Sequence, residues 1–376
     1  MKFPENFISS INNIRTEFKM IQKTVAAAAF GLAATCAWGQ TNVAIYGSVD
    51  GAVQSANTGT GRTTRVDSSA VMASKIGFQG TEDLGGGMKA IFRLENGFNV
   101  DTGTNAGNGA LFNRESWVGM TGAFGQAQIG VNYSPLFLSY VTYSLGELNT
   151  FSWGNATNNF FFVPTSRLSN SLRYTSPTFG GMTVRAAYAL GTEGTAPKTM
   201  GDTASVGFNY KTGAFSADLD YLQQKYATTT VVSDTTPVNQ GRYYLMAASY
   251  DFGFIKPALL YQIHTGNPDP LASNTFANPD NRFYEISAKI PNIGNGAIML
   301  SFGQYKRASS SKGNATSYGL RYDYHLSKRT GLYAGVAGIR NNSNASFTVG
   351  SIGTPGIATT PGRNVTSMIM GMLTTF

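Results

Sequence analysis

Residues 74–98, SKIGFQGTEDLGGGMKAIFRLENGF, constrain the fold more than any other stretch of the chain. On the first arm Ile76 and Phe78 share one parity, while Lys75, Gly77 and Gln79 share the other. On the second arm Met88, Ala90, Phe92 and Leu94 alternate with Lys89, Ile91, Arg93 and Glu95. Successive strand side chains point to opposite faces, so this alternation predicts two strands with one apolar and one charged face. Between the arms lie Asp83, Leu84 and three glycines, which close a tight reversal because positive φ costs glycine little. A soluble sandwich would bury the apolar face against a second sheet. A membrane barrel would present it to lipid and turn the charged face to water inside.

The connections separate these two outcomes. From residue 43 the chain reads as strands at 43–56, the two arms, 111–121 and 124–133, with polar loops at 57–69 and 99–109. After a long segment at 134–168, further strands follow in pairs from 169–176 to 365–376. The count is about sixteen, an even number within the range of bacterial outer-membrane barrels. Short turns (211–214, 251–253, 291–295) alternate with longer Thr-, Asn-, Gly- and Ser-rich loops (191–203, 227–240, 265–280, 341–364). All short turns therefore fall on one rim and all long loops on the other. Transmembrane barrels show this asymmetry, with short turns and both termini on the periplasmic side; a sandwich has no reason to sort loops by parity. With 44 glycines, 13% charged residues and 12% aromatics, the composition suits strands and turns better than helices. The outward-parity aromatics near strand ends, such as Tyr244, Tyr250, Phe252, Phe302, Tyr318 and Tyr324, would form belts at the two lipid interfaces.

The expected fold is thus an all-β transmembrane antiparallel barrel occupying 40–376. Residues 1–39 are read as a secretory signal peptide: Lys19 and Lys23 frame a basic region, 25–34 is apolar, and Ala37 and Gly39 are small residues at the cleavage-determining positions. The polar stretch ahead of Met20 is long for such a segment, so Met20 is a candidate true start. Cys36, the single cysteine, lacks the preceding Leu and small residue of a lipidation site, since Ala33 and Thr35 stand there. Removal of the segment leaves a chain without disulfides, with 24 basic against 18 acidic residues. No block of lysine or arginine accompanies that excess, and with the export signal it argues against nucleic acid.

In the last strand Met368, Met370, Met372, Thr374 and Phe376 share one parity. With Val43, Ala44, Ile45, Tyr46, Gly47 and Asp50, the run from Gly80 to Ala90, Phe98 with Asn99, Phe112, Asn113 and Arg114, Val118 with Gly119, Asn170 with Ser171, and Tyr174 to Pro177, the chain resembles the trimeric general porins of Gram-negative bacteria. The likeness is to the betaproteobacterial type found in Neisseria and Burkholderia, and it spans the mature chain. It implies a sixteen-stranded barrel, a homotrimer set in outer-membrane lipid and lipopolysaccharide, and passive diffusion of small hydrophilic solutes. It also implies a third outer loop folded into the lumen, and it implies no cofactor. The chain departs from the pattern at Lys75, often Arg in the family, and at Val131, where a Gly-Arg pair is usual; both weaken the basic wall.

Segment 134–168 is the candidate constriction. Its Phe137, Tyr140, Tyr143, Phe151, Trp153, Phe160, Phe161 and Phe162 need something to pack against, and a barrel wall is near; a subunit contact or one further strand pair would also employ them. Its only acid is Glu147. Lumen-facing parity supplies Lys75, Lys89 and Arg93 on the opening hairpin, and Arg173 and Arg185 after the long segment. Arg114 matches a wall arginine of the family, yet alternation groups it with Val118 and Met120, which leaves its face open. Facing charges across a narrow pore orient dipolar solutes and exclude apolar ones. Five or six bases against one loop acid predict a modest anion preference, with Lys89, Arg321, Asp218 and Asp220 read as solvated charges without a selective role.

Enzyme chemistry finds little support. A barrel hydrolase needs Ser, His and a polar orienter together, and the chain has only His264, read as an exposed residue at a strand end, and His325, in the short turn 325–330. Two scattered histidines do not make a metal site, and Gly85, Gly86 and Gly87 lack the strand-to-helix setting of a dinucleotide site. A substrate-specific channel and an exported β-rich adhesin or binding protein are the alternatives. N-terminal sequencing of the exported protein is expected to begin near residue 40; a lipid-modified Cys36 at the mature terminus would contradict the cleavage site.

Overall fold

The computed structural model describes residues 42–107, 109–144, 153–160, 166–191, 200–227, 238–266, 280–308, 310–350 and 356–376. The signal-peptide region, Glu147, Phe151, Phe161 and Phe162 lie outside the described residues. β1 (Asn42–Asn57), β2 (Arg62–Ser68), β3 (Lys75–Gly85), β4 (Met88–Gly97), β5 (Glu115–Gly122) and β6 (Gly125–Tyr133) precede two short helices, α1 (Pro135–Tyr143) and α2 (Ala156–Phe160). Then come β7 (Arg167–Thr175), β8 (Met182–Ala189), β9 (Thr203–Thr212), β10 (Phe215–Ala227), β11 (Val238–Tyr250) and β12 (Lys256–Thr265). The chain continues with β13 (Asn281–Ile290), β14 (Gly296–Arg307), β15 (Ala315–His325), β16 (Thr330–Asn341) and β17 (Val365–Thr375).

From β3 onward each strand pairs antiparallel with the next, and β1 pairs with β17 from Ser48↔Thr375 to Asn57↔Thr366, so the sheet closes on itself. β2 and β3 share one place in the wall: β1 pairs with β2 through Gly51↔Ser68 and with β3 through Ser48↔Lys75. The barrel therefore has sixteen staves, with the second broken at 69–74. Residues 62–68, expected in a loop, form the upper half of that stave, and β5 starts at Glu115 rather than at 111. Threonines and arginines in 62–68 hide the strand, in which Val66, opposite Val53, is the one apolar outward residue.

The two faces are as different as the alternation requires. Val53, Val118, Ile129, Leu172, Leu219, Leu259, Ile286 and Met370 project outward and are exposed. Their sequence neighbours Gln54, Gln128, Ser171, Asp218, Asp220 and Glu285 point inward and are buried.

The break at 69–74 turns inward and is held from β1. Asp50 Oδ2 accepts hydrogen bonds from the backbone N–H of Val71 (2.6 Å) and Met72 (2.7 Å), and Tyr333 on β16 donates to Oδ1. Ser74 Oγ and the Asp50 N–H complete the clamp at 2.9 Å. Asp50→Ala leaves two buried N–H donors without an acceptor and is expected to destabilise the barrel by about 3 kcal/mol, read as a lower temperature for loss of the fast-migrating folded band in gels.

Candidate functional site

The basic residues singled out in the sequence converge on one sector of the inner wall, interleaved with carboxylates. Glu95 on β4 accepts from Lys75 Nζ (3.1 Å), Arg114 Nε (2.6 Å) and the Tyr46 hydroxyl (2.9 Å). Arg114 also donates to the Tyr133 hydroxyl at 2.9 Å and is buried. It stands one residue before β5 begins, so alternation along that strand does not govern it, and it points inward. Arg93 donates to Glu115 Oε2 (3.0 Å) and Gln79 Oε1 (3.1 Å), with its guanidinium 5.7 Å from the ring centroids of both Tyr46 and Trp117. Trp117 Nε1 donates to the other oxygen of Glu115 at 2.9 Å. Aromatic faces and fixed acceptors hold the Arg93 fork in place.

Arg173 and Arg185 differ from these. Arg185 Nη1 lies 3.7 Å from Asp218 Oδ2, a loose contact to a carboxylate already engaged elsewhere. Arg173 reaches only the Tyr133 carbonyl, at 3.4 Å, and has no carboxylate partner within ion-pair distance among the described residues. The sequence reading set five or six bases against a single loop acid; the structure adds Glu95, Glu115 and Asp218 on the wall itself. Each shares the inward parity of its strand, a signal that was present in the pattern.

The described part of 134–168 lies against the wall from β8 to β15, starting beside Arg185, whose partner Asp218 it shares. Ser134 caps α1 by accepting from the Phe137 N–H at 3.2 Å, and Pro135 occupies the first turn, where its missing N–H costs nothing. From α1, Ser139 and Tyr143 donate to Asp218 at 2.5 and 2.9 Å. Burial pushes the hydroxyls of Tyr140 and Tyr143 above the usual tyrosine range, and that of Tyr143 donates to Asp218. From α2, the Thr157 N–H and hydroxyl donate to Glu285 on β13, whose other oxygen takes the Ser301 hydroxyl at 3.0 Å. Arg321 Nη1 donates to the Trp153 carbonyl at 3.1 Å, and its other donors grip Asp323 at 2.6 and 2.9 Å. Arg321, Asp218 and Asp220 are buried, so the reading of them as solvated charges is corrected: they sit in the contact between the segment and the wall.

Between these polar links is an apolar layer. Leu136, Tyr140, Trp153 and Phe160 pack with inward-facing Leu222, Leu245, Leu260, Phe283, Tyr305 and Ile339. Here the wall is apolar on both faces, as in Leu259-Leu260 and Leu245-Met246, a doubling that strict apolar-out, polar-in alternation does not anticipate. Gly319 on β15 faces the backbone of Gly154, and a Cβ there would overlap the Gly154 carbonyl. His264 is not a free strand-end residue: it stacks on Tyr243 at 4.1 Å and is buried. The inward aromatics Tyr243, Phe283, Tyr305 and Tyr333 are all covered.

Residues 24–344 match the family model described as Gram-negative porin. The chain is a Gram-negative porin. It is 30% identical over 346 residues to outer membrane porin protein 32 of Delftia acidovorans, covering 87% of this chain and 92% of that one. It is 28% identical over 353 residues to the major outer membrane protein P.IB of Neisseria lactamica, covering 88% and 97%. Among solved structures, the anion-selective porin from Comamonas acidovorans superposes with a TM-score of 0.76 at 26% identity, over 90% of this chain and all of that one. The trimer form of OmpT from Vibrio cholerae, at 12% identity and a TM-score of 0.64, shares the fold. The porin is thus an outer-membrane diffusion channel rather than an enzyme or an adhesin. Gly319→Val should push the 153–154 backbone off the wall at a cost of roughly 1–3 kcal/mol; single-channel recordings are expected to show higher, noisier conductance, and a trace identical to wild type would mean that the segment does not bear on Gly319.

Proposed function

We propose that this porin passes small hydrophilic solutes and ions with a modest preference for anions, as a homotrimer, and that 134–168 forms the constriction. The observation that carries the anion preference is the incomplete neutralisation of the basic sector of the inner wall. Lys75, Arg93 and Arg114 share Glu95 and Glu115, while among the described residues Arg173 has no carboxylate of its own and Arg185 only a distant share of Asp218. A small cationic excess fixed in a narrow, low-dielectric passage raises the local anion concentration. The Comamonas relative's anion selectivity supports the same reading, and the trimer form of the Vibrio OmpT supports the assembly. The contacts of α1 with Asp218 and of α2 with Glu285 support the constriction, since they tie the segment to inward-facing acids of the wall.

Reversal potentials across a salt gradient test the preference. Wild type is expected to favour chloride over potassium, and Arg173→Gln to cut the permeability ratio by roughly half through loss of one unscreened charge. Lys89→Gln, at an exposed position near the short-turn rim, should change it little. A cation preference in wild type would overturn the assignment.

A further inference from the structure

The short-turn end of the channel holds a cavity that lies apart from the basic sector. It sits inside the wall, between the inward break of the second stave and the turn that joins β15 to β16, and its volume is about 160 Å³. Val71 reaches it from the break, and Ala297 and Met299 on β14, Tyr333 on β16 and Leu373 on β17 face it from the wall; all five are buried. The lining also carries Lys289 on β13, His325 at the end of β15, and Lys328 with Arg329 in the turn.

The turn that carries two of these bases is held rigidly. Ser327 Oγ accepts the N–H of Arg329 and of Thr330, each at 3.1 Å, and the Thr330 carbonyl accepts the Leu326 N–H at 2.9 Å. The Arg329 carbonyl accepts the Thr375 N–H from β17 at 2.9 Å. Lys256 on β12 stands directly opposite Lys289 in the register, and both have the inward parity of their strands. Like charges so placed destabilise a sheet, and an anion bound nearby offsets that cost. Among the described residues of the lining the one acid is Asp323, which Arg321 already grips with hydrogen bonds of 2.6 and 2.9 Å. The cavity is thus apolar on the wall side and net positive at the turn.

Size and polarity together select the ligand. A cavity of about 150 Å³ lined by apolar side chains takes up one benzene molecule, so this one suits a single six-membered ring. An inorganic anion would leave the apolar lining facing water, and a neutral ring would leave the bases at the turn without a counter-charge. We propose that the cavity binds small aromatic carboxylates of the benzoate class, with the ring among Val71, Met299, Tyr333 and Leu373 and the carboxylate on Lys328 and Arg329. Arginine takes a carboxylate through two parallel hydrogen bonds and lysine as a point charge. The site presupposes the diffusion channel but not the anion preference of its constriction, and it retains one class of solute at the short-turn mouth.

The test is saturation-transfer NMR of the purified, folded protein in detergent, titrated with benzoate and challenged with acetate or inorganic phosphate. Wild type is expected to give a benzoate signal that saturates with a Kd of about 1–10 mM, and equal concentrations of acetate or phosphate should displace little of it. Ala297→Leu fills the cavity without changing its charge and should weaken benzoate binding by about tenfold or more. The exposed pair Lys328→Gln, Arg329→Gln should weaken it by a similar factor, while Lys328→Arg keeps most of it; the fast-migrating folded band in gels checks that each barrel is intact. Benzoate binding unchanged in the Ala297→Leu variant or in the double variant would overturn the proposal. So would displacement of benzoate by an equal concentration of phosphate. Reversal potentials in potassium chloride read the constriction separately, so a failure there and a failure here are told apart.

Discussion

Hydrocarbon offers no hydrogen bonds, and that one constraint shapes this molecule. Every backbone N–H and C=O facing the bilayer core must find its partner within the protein, which a sheet achieves only by leaving no edge. The pairing of β1 with β17 meets that demand. Once the wall is closed, the pleat sends alternate side chains to lipid and to the interior, and the sequence must satisfy two solvents with a period of two.

That period is what made the fold legible. The alternation at 74–98 and the sorting of loops by length pointed to the closed barrel without reference to any relative. The inner wall was legible only where it faces water. Lys75, Arg93, Arg173 and Arg185 stand out as charges on an inward face, but alternation cannot say which carboxylate each one meets, because Glu95 and Glu115 serve bases from neighbouring strands and from Arg114 outside any strand. Where the segment packs, the rule fails for a physical reason: Leu222, Leu245 and Leu260 face inward against α1 and α2, so the solvent on that side of the wall is protein rather than water. An inward-facing leucine beside an outward-facing one is the trace such a contact leaves in a sequence.

The polar links of the segment use buried acids as acceptors. Asp218 and Glu285 each gather donors from a helix and from the wall, and Asp50 does the same for the inward break in the second stave. A carboxylate accepts several hydrogen bonds at once, so a single residue on a rigid strand can fix a short helix that would be marginal by itself. The cation wall uses the same economy in reverse, with two glutamates spread among three bases, and the residual positive charge falls on Arg173.

The seam between β1 and β17 also bears on how the barrel is assembled. Its two borders come from opposite ends of the wall, so the residues that must meet are separated by nearly the whole sequence, and contacts of that range form slowly. Until they meet, both borders present unpaired backbone together with exposed Val53, Met368 and Met370, a combination that invites pairing with the wrong chain. A chain of this design depends on being escorted: its sealing step comes after everything else is in place, and whatever shields the open borders in the interval determines whether a channel or an aggregate results.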